Sequence, residues 1–250
     1  MRLRPTAIAA LMLSVLAPDL AAQGSADPRI RIGFGVAGGR FRFEEDGSRA
    51  DGETRASLVR VHAEATTANG IGGGIRFESV VSDDDLFDDA GFTDTEATQA
   101  SLFVHFTYRI ASHRFAMPVR IGFLLDELTL EEVDTDTEVH YGSAGFRFEL
   151  APELLLVRRR SFAWSLFAEF GAAATGTTVE VDGDRNDYES GTGFLGLEAG
   201  TRLRFGNAEL GLSYVGRWQG MDESDEEDGF VVLGYDARFQ GVLLAFAIDF

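Results

Sequence analysis

Alternation with a period of two constrains the fold of this chain more than any other feature. Residues 162–172 place apolar side chains at every second position, and residues 195–205 repeat the pattern. Successive side chains of a β-strand point to opposite faces, so each segment predicts a strand with one apolar and one polar face. Ten such segments are present: 29–43, 54–67, 70–81, 96–110, 114–130, 138–157, 161–181, 192–205, 208–218 and 234–250.

The connections between these segments alternate in length and charge. Four are short, at 68–70, 111–113, 158–161 and 206–207. Five are longer and acidic, and together they hold 28 Asp and Glu residues and two Arg: 44–53, 82–96, 131–138, 180–189 and 219–228. The short turns carry Arg114 and Arg158–Arg160 and no acid. Short turns at one end and longer loops at the other are typical of a transmembrane barrel.

The N-terminus predicts an export signal. Arg2 and Arg4 precede a short apolar run at 6–17, and Ala22 offers a small residue for cleavage before Gln23. We therefore expect a signal peptide at 1–22 and one β-barrel domain at 23–250. No internal apolar stretch approaches the ~20 residues that a spanning helix needs.

The last strand carries the apolar row Phe246, Ile248 and Phe250 at alternate positions. This row resembles the terminal strand of small bacterial outer-membrane β-barrel proteins, in which the final aromatic residue belongs to the assembly signal. The resemblance implies an all-β fold, a transmembrane antiparallel up-and-down β-barrel of about ten strands. It also implies location in the outer membrane and contact with its lipid and lipopolysaccharide. A monomer inserted by the barrel assembly machinery is expected.

The principal alternative is a secreted β-sandwich or a lipocalin-like barrel, which would bury its apolar face. Two further features favour the transmembrane barrel. Aromatic residues cluster near both strand ends, as in membrane-interface girdles: Phe106, Tyr108, Phe115, Trp164, Phe205 and Phe250 at one level, and Phe41, Phe43, Tyr141, Trp218 and Tyr235 at the other. Charged residues repeat on the opposite, lumen-facing set: Arg60, Glu64, Arg76, Glu78, Arg120, Arg147, Glu149, Glu169, Glu198, Arg202, Arg217 and Arg238.

The alternation changes phase at three glycine-containing sites, near Gly38-Gly39, Gly142-Ser143 and Gln240-Gly241. A β-bulge inserts one residue into a strand and shifts which face the following side chains occupy. The sequence therefore predicts bulges at these three sites.

The lumen charges admit two interpretations. Arg and carboxylate groups in a narrow barrel form ion pairs that close it, or they line a conducting path. Barrels of about eight strands are filled by side chains, and open porins have 16–18 strands. Ten strands favour the closed lumen.

Candidate sites for other chemistry are sparse. The chain has no Cys, which excludes disulfides and thiolate metal sites, and its net charge of −19 argues against nucleic acid as a partner. His62 and His105 fall on the lumen-facing set, but no hydrolase or zinc-protease motif accompanies them. The acidic runs include Asp83, Asp84, Asp85, Asp225, Glu226 and Asp228. Such carboxylates are ligands for weakly bound Ca²⁺ or Mg²⁺; no other cofactor is expected.

Three functional hypotheses follow from these features. The first is a non-enzymatic structural or surface-interaction protein. The second is a narrow passive channel for small solutes or ions. The third is an outer-membrane hydrolase, lipid-modifying or similar to the omptin proteases, with which the chain shares only its strand count.

Overall fold

The computed structural model describes residues 29–47, 51–83, 86–87, 95–132, 137–181, 184–224 and 231–250. The predicted signal peptide lies outside these residues and stays a prediction. Eleven strands form one antiparallel sheet: β1 Arg29–Glu45, β2 Asp51–Thr66, β3 Ile71–Ser82, β4 Thr95–Ala111, β5 Phe115–Glu132, β6 Thr137–Leu150, β7 Glu153–Arg158, β8 Phe162–Val181, β9 Asp184–Phe205, β10 Ala208–Met221 and β11 Tyr235–Asp249. Within the described ranges, no helix is long and apolar enough to cross a membrane.

The sheet closes into a barrel because each strand pairs with its neighbours in sequence and β1 pairs with β11. Strands β6 and β7 are two halves of one barrel strand, since both pair with β5 and with β8. Pro152 interrupts this strand because proline has no N–H to donate. The barrel therefore has ten strands in up-and-down order, as predicted.

The two ends of the barrel differ, and we call them the turn end and the loop end. The turn end carries the connections 67–70, 112–114, 159–161 and 206–207. Gly70 and Gly206 adopt positive φ angles of 79° and 59° there, which suits glycine in a tight turn. The loop end carries the five remaining connections. The predicted loop at 180–189 is wrong, because β8 continues to Val181 and β9 begins at Asp184.

The outer wall carries an apolar band near the turn end. The side chains of Phe34, Ile121, Phe146, Leu195 and Val242 are 49–72% exposed there. Nearer the loop end the outer wall becomes polar. Arg40 pairs with Glu53 at 2.5 Å and Arg42 pairs with Asp51 at 3.0 Å. A boundary between apolar and polar outer surface therefore crosses β1 and β2.

The apparent phase shifts at glycine are not bulges. Along β1 the register with β2 and β11 runs unbroken through Gly38 and Gly39, and along β6 it runs unbroken through Gly142. The observed irregularities lie between Leu155 and Val157 and between Thr178 and Val179. What changes at the glycine sites is the face that carries apolar side chains, which moves from the outer wall to the lumen.

Candidate functional site

The lumen is the candidate functional site, and its middle is built around Glu149. This side chain is 0% exposed and contacts Arg76, with Arg147 at 2.8 Å and Arg120 at 3.6 Å. Arg76 also binds Glu169 at 2.6 Å. Inward-facing positions of four strands, β3, β5, β6 and β8, supply these groups. A buried carboxylate surrounded by guanidinium groups keeps its charge compensated in a medium of low polarity.

A second group of ion pairs lies on the other side of the lumen. Arg60 donates to Glu78 and to Glu198, each at 2.6 Å. Arg217 donates to both oxygens of Glu78, at 2.9 and 3.0 Å. Glu78 thus accepts from two guanidinium groups whose planar forks match its carboxylate.

The turn end of the lumen is closed by a third group. Glu209 contacts Arg31 and accepts from Arg204 at 2.9 Å, and Arg202 lies 3.5 Å away. Glu64 accepts from Arg120 at 3.1 Å. A cavity of about 130 Å³ remains between these side chains, and Arg109 lines it.

Aromatic rings support the guanidinium groups. Arg76 and Arg147 lie over the Phe103 ring at 5.6 and 5.4 Å from its centroid, and Arg202 lies 3.6 Å over Phe167. Such cation–π contacts fix the orientation of the charged groups as well as stabilising them.

We call this network of charges the charged layer. The structure brings eleven of the twelve predicted lumen residues into it. Arg238 is the exception and its assignment was wrong, because it lies on the polar outer wall 3.8 Å from Asp236, with Tyr235, Ala237 and Phe239 facing inward instead. Arg204 and Glu209, whose positions also alternate inward, join the charged layer together with Arg31, which the sequence analysis did not single out.

The loop-end half of the lumen is apolar, which the sequence analysis missed. Its inward side chains pack into a cluster that we call the apolar layer: Ala37, Phe41, Phe43, Ala56, Leu58, Val80, Leu86, Phe87, Ala97, Leu128, Tyr141, Val179, Val215, Met221, Tyr235, Ala237, Phe239 and Leu243. The prediction that Phe41, Phe43, Tyr141 and Tyr235 form an outer girdle is therefore wrong, since all four are at most 4% exposed. The change of phase at the glycine sites was the signal for this layer.

The aromatic rings of the apolar layer contact one another directly. Phe43 stacks on Tyr235 with centroids 5.2 Å apart, and Tyr141 meets Tyr235 edge-on at 4.7 Å. Phe87 reaches the same cluster from the connection between β3 and β4. Burial raises the pKa values of the Tyr141 and Tyr235 phenols above their usual range, because the phenolate would lose its hydration.

Polar side chains join the two layers. The Gln99 amide donates to Asp126 at 3.1 Å and to Gln219 at 2.6 Å, and Gln219 donates to the Tyr235 hydroxyl at 2.6 Å. This series of hydrogen bonds satisfies buried polar groups where the charged layer meets the apolar layer.

The histidines lie in different parts of the barrel. His62 and His105 face the lumen, and each lies opposite a glycine: a Cβ on Gly33 would come within 2.1 Å of the His62 ring, and one on Gly74 within 2.9 Å of His105. His105 contacts Thr107 at 3.0 Å. His140 lies on the outer wall, where it contacts Glu138 at 3.0 Å and Thr129 at 2.9 Å.

The predicted cation ligands are mostly outside the described residues. Asp84, Asp85, Asp225, Glu226 and Asp228 lie there, and of the six only Asp83 is described. In the portion of the chain that the structure covers, no group of three or more His, Asp or Glu side chains is arranged to hold a metal ion. Weak Ca²⁺ or Mg²⁺ binding at the loops stays a prediction.

The final strand closes the seam of the barrel. Backbone hydrogen bonds join Phe250 and Ile30 in both directions, at 2.8 and 3.3 Å. Phe246 and Phe250 expose 43% and 69% of their surface on the outer wall. The assembly role of Phe246, Ile248 and Phe250 stays a prediction.

No protein-family model matches the chain, and no curated protein matches it. Solved structures do. The outer membrane protease OmpT from Escherichia coli is 9% identical, with 92% of this chain and 99% of that chain covered and a TM-score of 0.52. The beta domain of the Bordetella autotransporter BrkA is 13% identical over 90% of this chain and 100% of that chain, with a TM-score of 0.43. The transport unit of the E. coli autotransporter AIDA-I is 12% identical, with 100% of this chain and 99% of that chain covered and a TM-score of 0.40.

The similarity to OmpT shows a shared fold. The chain therefore has the closed antiparallel barrel fold of outer-membrane proteins, and no subfamily follows from these matches.

Proposed function

We propose that this barrel is a non-enzymatic structural or surface-interaction protein of a bacterial outer membrane, and that it conducts no solute. The observation that carries the proposal is the filling of the lumen by two layers in series. The charged layer occupies the half near the turn end, and the apolar layer occupies the half near the loop end.

The outer wall supports the membrane location. The band of exposed apolar side chains encircles the turn-end part of the barrel, and a transmembrane barrel presents such a band, ~25 Å tall, to lipid. The polar outer wall above the boundary suits water or lipid headgroups. Strand β1 continues from Gly38 to Glu45, which at ~3.3 Å per residue and a tilt of about 40° extends it roughly 15–20 Å beyond the band.

The closed lumen supports the absence of transport. An ion entering the charged layer would have to break pairs such as Arg60–Glu198, and an ion entering the apolar layer would lose its hydration without compensation. Because the layers lie in series, each is sufficient to block the path.

Planar-bilayer recording tests this proposal directly. We expect no stable conductance steps from the purified barrel, with a porin reconstituted in the same way as the positive control. Regular ohmic steps from the purified barrel would contradict the closed lumen and favour the passive-channel hypothesis.

The non-enzymatic assignment has its own test. His62 and His105 are enclosed in the lumen and His140 lies on the outer wall, while His113 lines a cleft at the turn end without a hydrogen bond or ion pair to any acid that the structure describes. Peptide and lipid-ester substrates offered to the folded barrel should remain intact. Hydrolysis that is lost when the barrel is heat-unfolded would contradict this proposal and favour the hydrolase hypothesis.

A further inference from the structure

The turn-end rim concentrates positive charge in a chain whose net charge is −19. We call its six arginines the rim arginines: Arg29, Arg109, Arg114, Arg158, Arg159 and Arg160. They surround a cleft of about 320 Å³ to which His113 also contributes. The loop end holds most of the acidic residues, so the two ends of the barrel carry opposite charge.

The rim arginines are not paired with any carboxylate that the structure describes. Two carboxylates at the turn end are engaged elsewhere: Glu153 contacts Arg202 at 3.7 Å, and Asp249 contacts Arg31 at 3.5 Å and Arg204 at 3.8 Å. Among the described residues, none forms an ion pair with a rim arginine. The Nε atom of Arg109 is buried and has no hydrogen-bond partner there.

Backbone hydrogen bonds hold the rim in a fixed arrangement. Leu155 N donates to Arg114 O at 2.8 Å and ties the 112–114 turn to β7. Arg159 N donates to Phe162 O at 2.7 Å and closes the 159–161 turn, and Gly206 N donates to Ser161 O at 3.2 Å. Three turns thus present their side chains from one platform. Like charges held close together favour binding of an anion.

The rim also adjoins the apolar band. A groove lined by Ser112, His113, Arg114, Leu155, Leu156 and Arg158 runs between the turn of β4 and β5 and strand β7. Leu156 and Leu154 expose 37% and 47% of their surface on the outer wall beside it. Phe115, Trp164 and Phe205 are 39%, 39% and 51% exposed at the same end.

This combination selects the chemistry of the ligand. Guanidinium groups bind phosphate oxygens in paired hydrogen bonds, and exposed Leu and Phe side chains accept an acyl chain. A free anion would use the arginines alone and leave the apolar side of the groove exposed to water. A molecule with a phosphate and acyl chains uses both.

We propose that the rim arginines form a binding site for anionic phospholipid of the periplasmic leaflet. The phosphate lies at Arg114 and Arg158–Arg160, and an acyl chain follows Leu154 and Leu156. This inference rests on the proposed membrane location, but not on whether the lumen conducts. It also fixes the orientation of the barrel, with the acidic loops outside the cell.

Lipid retention in native mass spectrometry tests the site. Delipidated protein in neutral detergent is offered phosphatidylglycerol and phosphatidylcholine with identical acyl chains. We expect tighter retention of phosphatidylglycerol. Basic residues near an anionic surface contribute about fivefold each in affinity at low ionic strength. Replacing Arg158, Arg159 and Arg160 with Gln should therefore weaken phosphatidylglycerol retention at least about tenfold.

A matched variant removes the same charge elsewhere. Arg40→Gln, Arg55→Gln and Arg238→Gln together remove three exposed arginines from the loop-end outer wall, and should leave phosphatidylglycerol retention unchanged. The rim substitutions alter only exposed side chains at the end of β7 and in the adjoining turn, which a backbone hydrogen bond closes. Both variants should therefore keep the heat-modifiable gel migration of the folded barrel.

Equal retention of both lipids would overturn the inference, and so would undiminished phosphatidylglycerol retention by the rim variant. Displacement of the lipid by millimolar inorganic phosphate would also overturn it, because that result would assign the site to a free anion. Flotation with phosphatidylcholine vesicles separates this failure from that of the proposed location. A chain that inserts into neutral vesicles without preferring phosphatidylglycerol contradicts the rim site alone, whereas a chain that inserts into no vesicle contradicts the location.

Discussion

At the scale of the residue, the lumen is organised by a few carboxylates that each serve several arginines. Glu149 is fully enclosed and contacts Arg76, Arg120 and Arg147. Glu209 has a similar position among Arg31, Arg202 and Arg204. Such a carboxylate cannot be removed without leaving several guanidinium groups uncompensated at once.

Glu149→Gln should therefore be one of the most destabilising isosteric changes in the barrel. Breaking a buried ion pair costs ~3–5 kcal/mol in soluble interiors. We expect a clear decrease in the urea midpoint of the refolded protein. Glu53→Gln, which breaks an exposed pair with Arg40, is the control and should change stability by at most ~1 kcal/mol. Equal midpoints for the two variants would contradict the importance of the charged layer.

Tyr235 predicts how stability depends on alkaline pH. Its pKa is raised in the folded protein, so the phenol stays neutral there while the unfolded chain ionises near pH 10. The stability contributed by the neutral phenol is fully present below pH 10 and is lost as pH rises above it. Tyr235→Phe should make the alkaline loss of stability less steep. Denaturant midpoints of the two proteins measured at rising pH check this, and equal pH dependence of the two midpoints would contradict it.

At the scale of the element, the surroundings of a long strand change along its length. In β11 the outward residues Val242, Leu244 and Phe246 are exposed apolar side chains, whereas Tyr235, Ala237 and Phe239 face inward above them. The backbone register does not change between the two halves. One strand therefore behaves as a membrane strand near the turn end and as a strand of a soluble barrel near the loop end.

This boundary can be located by charge substitution along β11. Leu244→Arg puts a guanidinium group into the apolar band and should cost ~2–4 kcal/mol if it lies near the middle of the bilayer. Gln240→Arg, four residues away on the same face and beyond the boundary, should be nearly neutral. Both are compared by denaturant unfolding in phospholipid vesicles. Similar costs at the two positions would show that the boundary has been misplaced.

The seam between β1 and β11 depends on the last residue. Deleting Phe250 removes two backbone hydrogen bonds to Ile30 and leaves those groups without partners in lipid. We expect less folded protein in the outer-membrane fraction and slower folding into vesicles in vitro. Phe250→Leu keeps the backbone hydrogen bonds and removes only the aromatic ring. Comparing it with the deletion therefore distinguishes the contribution of the hydrogen bonds from that of the ring. Normal folding of the deletion variant would argue against both roles.

At the scale of the whole molecule, the barrel is polarised twice. The lumen is charged near the turn end and apolar near the loop end, and the surface is basic at the rim and acidic at the loops. The outer wall has the complementary polarity at each level, because whichever face of a strand meets lipid must be apolar. The lumen can hold charges only where the outer wall supplies the apolar surface.

Because the charged layer and the apolar layer each close the lumen, we expect conductance only when both layers are disrupted. Phe41→Ala with Phe239→Ala opens the apolar layer, and Arg76→Ala with Glu149→Ala opens the charged layer. Neither pair alone should give conductance steps in planar bilayers, because the other layer still fills the lumen. The four changes together should give conductance if the barrel still folds, as judged by heat-modifiable migration. Conductance from either pair alone would mean that a single layer closes the barrel.

The sequence by itself determined the strands, their up-and-down order and the inward set of charges. Period-two alternation is a local property, and the lengths of the connections leave few ways to join ten antiparallel strands. It also placed Arg76, Glu149 and their neighbours on one face. The prediction that Arg238 faces the lumen was wrong, because the outward positions of a strand are apolar in one half of the barrel and polar in the other.

Only the tertiary structure decided which environment each face meets. Phe41 and Phe34 are both aromatic and both lie in β1, yet one is buried in the lumen and the other is exposed on the outer wall. An apolar side chain avoids water, and lipid and a packed core both allow it to do so. Apolar character alone therefore does not distinguish the two environments. The distinction depends on how far the closed barrel extends beyond the apolar band, which is a property of all ten strands together.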